Sequence, residues 1–114
     1  MMNLNLLVLR CADIEASKRF YELLGMRFVR HAHGKGPDHY ANQDDRGVFE
    51  LYPSNAGEKD RTALGFVASD LDTAHREFDT AGFAPGSVSQ NEWGTSFVVR
   101  DPDGRRVEIK AANT

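Results

Sequence analysis

The chain repeats itself once. Residues 13–25 (DIEASKRFYELLG) form an amphipathic run between a good N-cap, Asp13, and a glycine stop. Ile14, Phe20, Tyr21 and Leu24 share one face, and Glu15, Arg19 and Glu22 lie on the other. Residues 70–82 (DLDTAHREFDTAG) repeat the plan, with Asp70 as cap, Leu71 for Ile14, Phe78 for Tyr21 and Gly82 as stop, each 57 residues after its counterpart in a chain of 114. A long period present only twice implies a duplicated module, since a solenoid needs at least about three repeats to bury its faces.

The flanking segments complete each module. The apolar run 4–10 is too short for a helix and reads as a buried strand, and 62–68 precedes the second helix in the same way. Strands are expected at 26–33, 38–42 and 47–52 after the first helix, with Gly34-Lys35-Gly36-Pro37 as a turn. The second half should place strands at 84–89, 94–100 and 105–110, with a turn at 101–104. Residues 53–60 are polar, lack periodicity and serve as the linker. The expectation is an α+β fold of two tandem βαβββ modules, about 3–53 and 61–111, within a single domain at 1–114. The sheet would be curved and mixed, with the helices on its convex side.

Composition narrows the function. A net charge of −3 with basic residues scattered among acidic ones leaves no footprint for nucleic acid, and no segment is apolar and long enough to span a bilayer. Cys11 is the only cysteine, so no internal disulfide can form; it reads as a small buried thiol at a strand end and fits a reducing cytoplasm. No signal peptide is expected.

Strand alternation selects the carboxylates. In 48–52, Phe49 and Leu51 point to the side a helix covers, so Glu50 points away between Val48 and Tyr52. In 106–110, Val107 and Ile109 face the helix and Glu108 faces away with Arg106 and Lys110. Two such carboxylates at close range would share a proton or act as a general base; the alternative is two solvated strand residues paired with Arg10, Arg106 or Lys110.

The sequence resembles the vicinal oxygen chelate superfamily of glyoxalase I, extradiol dioxygenases and fosfomycin- and bleomycin-resistance proteins. The likeness rests on Asp13 with Ser17-Lys18-Arg19-Phe20-Tyr21 and Leu24-Gly25, on Asp70-Leu71-Asp72 with Phe78 and Ala81-Gly82, and on Asp101-Pro102-Asp103-Gly104 before Val107-Glu108-Ile109. It implies a cup whose metal ligands, in the metal-dependent members, come from the first and last strand of each module. Carried over by position, the last-strand ligands are Glu50 and Glu108, and the first-strand ones are Leu6 and Ala63, neither of which offers a donor atom.

Three of the four histidines, His31, His33 and His39, lie in one stretch, and a hairpin would bring His39 back beside the other two. That group is either plain rim surface or a replacement metal or proton-transfer site. Tyr40 and Tyr52 read as pocket-wall residues and His75 as surface; Trp93 reads as a pocket cap or dimer contact.

Two functions follow. One is a metal-free, bleomycin-resistance-like protein holding a small apolar or cationic molecule among Leu6, Val8, His39, Tyr40, Tyr52 and Ala63, with Glu50 and Glu108 as its reactive carboxylates. The other is a lyase, isomerase or dioxygenase with one divalent metal on Glu50, Glu108 and His39. Sheet edges that need cover motivate a homodimer, and a plain interaction dimer without a ligand is a third reading.

Overall fold

The computed structural model describes residues 1–54 and 60–112, and most of the linker expected at 53–60 therefore lies outside the described residues. The chain divides into two compact units, Met1–Glu58 and Lys59–Thr114. Unit 1 contains β1 (Leu6–Cys11), α1 (Ile14–Glu22), β2 (Val29–His31), β3 (His39–Asp44) and β4 (Gly47–Pro53). Unit 2 contains β5 (Ala63–Ala68), α2 (Leu71–Thr80), β6 (Ser89–Asn91), β7 (Gly94–Arg100) and β8 (Arg106–Ala111). Each unit builds its own four-stranded mixed sheet, in the orders β1-β4-β3-β2 and β5-β8-β7-β6, so the expected α+β, twofold βαβββ plan is what the chain adopts. In each, the first strand runs parallel to the last, and the remaining pairs are antiparallel.

Both helices start and stop for the reasons the sequence implies. Asp13 Oδ1 accepts from the backbone N–H groups of Glu15 (3.0 Å) and Ala16 (3.1 Å), and Asp70 Oδ1 accepts from that of Thr73 (3.0 Å). Gly25 and Gly82 follow the helices at φ +91° and +89°, the left-handed conformation that turns the chain out of a helix at no steric cost to glycine. On α1, Ser17, Phe20 and Tyr21 are fully buried. Tyr21 packs on Phe49 of β4 with ring centres 5.1 Å apart, and Leu51 and Cys11 are fully buried in the same core. In unit 2, Phe78 of α2 meets Phe97 of β7 above buried Val99, Val107 and Ile109. Phe49, Leu51, Val107 and Ile109 thus occupy the helix side and leave Glu50 and Glu108 on the other.

Three expectations are corrected. The strand placed at 26–33 is reduced to Val29–His31, because Phe28 leaves the sheet plane to bury itself edge-on against Phe49 at 5.9 Å, while Arg27 gives its carbonyl to the Asn42 side-chain amide. The strand placed at 84–89 begins only at Ser89: Ala84 sits at φ 50°, and Pro85 has no N–H to give a ladder. His75 is half-buried, with Nε2 2.9 Å from the Gly86 carbonyl and its ring edge-on to Phe97.

Unit 2 also buries a charge. The Arg105 side chain, 1% exposed, sits just before β8. Its Nε and Nη2 donate to Asp60 (3.0 and 2.6 Å), and its Nη1 donates to Asp101 Oδ2 at 3.1 Å. Burial works against the charged guanidinium, but the hydrogen bonds to Asp60 and Asp101 outweigh it and push its pKa upward.

Candidate functional site

The helix-free face of the first sheet follows from strand register. Val8 pairs with Glu50, Leu6 with Val48 and Arg10 with Tyr52 across β1 and β4, while Ala41 of β3 pairs with Glu50. His31 pairs with His39 across β2 and β3. The Tyr40–Leu51 pairing puts His39 beside Tyr52 on this same face.

The result is a row of four side chains across the sheet, one per strand. The Arg10 guanidinium stands 4.9 Å from the Tyr52 ring centre, and Tyr52 and His39 stack at 4.1 Å with 9° between planes. His31 follows at 5.8 Å from His39, and His33, just past the strand, lies 5.3 Å from His39 and 5.7 Å from His31. His39 is buried, His31 half-buried and His33 exposed, so the hairpin does gather the three imidazoles but gives them unequal access to solvent.

His39 holds the polar centre of this face. Its Nδ1 lies 3.3 Å from the Pro37 carbonyl oxygen, which can only accept, so Nδ1 carries the proton. Its Nε2 is buried without a hydrogen-bond partner among the described residues, 3.4 Å from Glu50 Oε2. That separation is within ion-pair range if the ring is protonated, but the contact lacks the alignment of a hydrogen bond. Among the described residues, no three or more His, Cys, Asp or Glu side chains already converge on one metal position.

Tyr40 does not share this face. It points toward α1, where its hydroxyl donates to Glu15 Oε1 at 2.6 Å and accepts from Arg30 Nη1 at 3.4 Å. The hydrogen bond to Glu15 pushes its pKa upward. Leu6, Val8, His39, Glu50 and Tyr52 therefore share the helix-free face, with Leu6 at one end of it and His39 and Tyr52 at the other, and Tyr40 braces the helix instead.

Ala63 and Glu108 belong to the second unit. There Glu108 pairs with Gly65 and Val98, and its Oε2 lies 3.9 Å from Arg106 Nη2, while Ala63 is exposed opposite Arg106. A shallow cavity of about 170 Å³ opens at the far end of the first sheet, by the β3–β4 turn. Among its walls are Leu4, Leu6, Asp44, Arg46 and Val48, so Leu6 is the one expected pocket residue it contains. The row across the strands escaped the sequence reading except at the histidine hairpin: its signal lay in the strand registers, which local periodicity does not reveal.

The sequence profile of the Glyoxalase/Bleomycin resistance protein/Dioxygenase superfamily matches residues 3–109, and the chain belongs to that superfamily. No curated protein matches it. Among solved structures it is similar to TnmS3, an antibiotic-binding protein from Streptomyces sp. CB03234, at 18% identity and TM-score 0.80, covering 99% of this chain and 98% of the other. A protein from the mobile metagenome of V. Pseudocholerae, VPC_CASS1, is 26% identical at TM-score 0.72, with 100% and 97% covered. Lactoylglutathione lyase from Agrobacterium tumefaciens is 19% identical at TM-score 0.71, with 96% and 92% covered.

The donor set does not fit a metal at the positions carried over from the metal-dependent pattern. Leu6 and Ala63 present hydrocarbon where nitrogen donors would be required, and Glu108 already has a guanidinium beside it.

Proposed function

We propose that the chain binds a small organic molecule on the helix-free face of its first sheet, without the two-histidine, two-glutamate metal site of its metal-dependent relatives. The observation that carries this reading is the make-up of that face. Leu6, half exposed, and Val8 give hydrocarbon, the Tyr52–His39 stack gives aromatic edges, and Glu50 gives one partly buried carboxylate. Sites for small molecules combine apolar walls with a few placed polar groups in this way. The antibiotic-binding activity named for TnmS3 shows that such a task is compatible with the fold, although fold alone does not assign it.

The test is a thermal-shift screen of small aromatic and cationic compounds, run in chelator, on wild type, Glu50→Gln and Glu108→Gln. A ligand that stabilises wild type should lose about 10- to 100-fold in affinity on Glu50→Gln, the worth of a hydrogen bond to a charged group. Identical profiles for all three proteins would refute the role of both carboxylates.

We also propose that the protein is a cytoplasmic homodimer. β2 and β6 each stand at an edge of their sheet, and an edge strand is a template for pairing with another chain. Sedimentation at high micromolar concentration should give twice the chain mass, and a strict monomer would exclude the dimer. Among the described residues no helix is long and apolar enough to cross a membrane.

A further inference from the structure

We propose that the small molecule held on this face is a protonated primary or secondary amine, whose N–H groups donate to both His39 Nε2 and Glu50 Oε2. This rests on the proposed function and gives its ligand a chemical class.

Charge points to a cation. Among the described residues Glu50 has no arginine or lysine in ion-pair range, whereas Glu108 has Arg106 at 3.9 Å. Its register neighbours are Val8 and Ala41, so the carboxylate stands among hydrocarbon, yet its side chain is 19% exposed and open to a ligand. A partly desolvated anion gains most from a charged donor.

The tautomer calls for N–H groups on that cation. With Nδ1–H facing the Pro37 carbonyl, a neutral His39 presents a lone pair at Nε2, which is buried, has no hydrogen-bond partner among the described residues and faces Oε2 across 3.4 Å. Two acceptors so placed need a donor between them. A proton on His39 itself would draw the two atoms to about 2.7–2.9 Å, closer than the separation found. A ligand nitrogen about 2.9 Å from both atoms sees them about 72° apart; its N–H bonds diverge by about 110°, so each hydrogen bond bends by about 19° and keeps an angle near 150° at its hydrogen. As Nε2 is closed to solvent, the amine meets Glu50 first and gains Nε2 when the carboxylate side chain turns to share it.

The same face disfavours the other way of holding an organic cation. A quaternary ammonium has no N–H and is recognised on open aromatic faces. Both faces of Tyr52 are taken, one by the Arg10 guanidinium at 4.9 Å and the other by the His39 ring at 4.1 Å. The number of N–H groups on the ligand therefore sets its affinity.

The test measures, by calorimetry at pH 7 in chelator, binding of phenethylamine and its N-methyl, N,N-dimethyl and N,N,N-trimethyl derivatives to the full chain, with 2-phenylethanol as the neutral control. The four cations share one body and offer three, two, one and no N–H donors. Primary and secondary amines should bind alike, the tertiary amine about 10-fold and the quaternary about 100-fold more weakly, a tenfold step for each charged hydrogen bond lost. His39→Phe keeps a ring beside Tyr52 but has no acceptor, and should remove the step from secondary to tertiary amine. Glu50→Gln should weaken the primary amine by about 10-fold or more. A merely structural role would lower all four alike. Circular dichroism checks that each variant is folded; the series in wild type and in Glu50→Gln decides the matter if His39→Phe does not fold. A quaternary derivative or an alcohol that binds as tightly as phenethylamine, wild-type affinity in folded Glu50→Gln, or no saturable binding of phenethylamine at millimolar concentration would overturn the amine. The broader screen keeps the two failures apart: a neutral compound whose binding depends on Glu50 leaves the small-molecule reading standing without the amine, and silence from every compound removes both.

Discussion

Replacing Arg105 with methionine is expected to destabilise the protein by about 3–5 kcal/mol, because removing one partner of a buried ion pair leaves the other charged and uncompensated. The group left behind is Asp101, whose side chain is fully buried and whose Oδ2 accepts from Arg105 Nη1. Its Oδ1 accepts from the backbone N–H groups of Asp103 and Arg105, both at 2.9 Å, so the same residue also shapes the turn into β8. This dual role supplies a control: adding Asp101→Asn to Arg105→Met removes the stranded charge but keeps the turn acceptor, and should recover part of the loss. Urea denaturation of the three proteins measures both steps. A loss under about 1 kcal/mol for Arg105→Met, or no recovery with asparagine, would show that the network carries little energy.

The network also predicts an acid limb. The hydrogen bond from Arg105 holds the Asp60 carboxyl below its ordinary value near 3.8. A carboxylate with a depressed folded pKa contributes stability that is fully present above its unfolded value, about 3.9, and is lost as pH falls through the lower folded value. The stability difference between wild type and Asp60→Asn should therefore be larger at pH 7 than below pH 3. Asp60 is 43% exposed, so this difference is smaller than the effect of Arg105→Met.

Local rules made the module legible. Asp13 and Asp70 as caps, Gly25 and Gly82 as stops, and the alternation that sends Phe49 and Leu51 inward depend on neighbours a few residues away, and each appears in the fold. The hairpin that returns His39 to His31 was readable because a Gly-Pro turn lies between them. What escaped depends on distant parts of the chain. The face Tyr40 presents is set by its register with Leu51 and by Glu15, 25 residues earlier. Arg105 looked like an ordinary first residue of a strand, since nothing near it announces that Asp60, 45 residues away, will cover it. The failure of the strand at 84–89 follows from local chemistry: Pro85 has no N–H to give a ladder, and that outweighs the β-pattern of the segment.

Gly47→Ala is the other substitution expected to be severe, at about 2–4 kcal/mol, from backbone strain together with a collision that no side chain can relieve. Gly47 opens β4 at φ +153°, and a methyl group built there would strike the Asn5 carbonyl oxygen and stand 2.6 Å from its carbon. The obstacle is backbone, held in place because that same oxygen accepts the Val48 N–H at 2.8 Å, next to the first β1–β4 pair, Leu6 with Val48. Relief therefore means moving β1 away from β4, the pairing that puts Val8 beside Glu50 and Arg10 beside Tyr52. Gly25→Ala is the matched control: it also occupies a left-handed φ, +91°, but its added methyl meets nothing within 4 Å. It should cost only about 1 kcal/mol. Equal losses for the two variants would mean that conformational strain alone explains both and that β1 yields readily. A larger loss at Gly47, with weakened ligand binding at Glu50, would tie the site to a backbone contact at the far end of its strand.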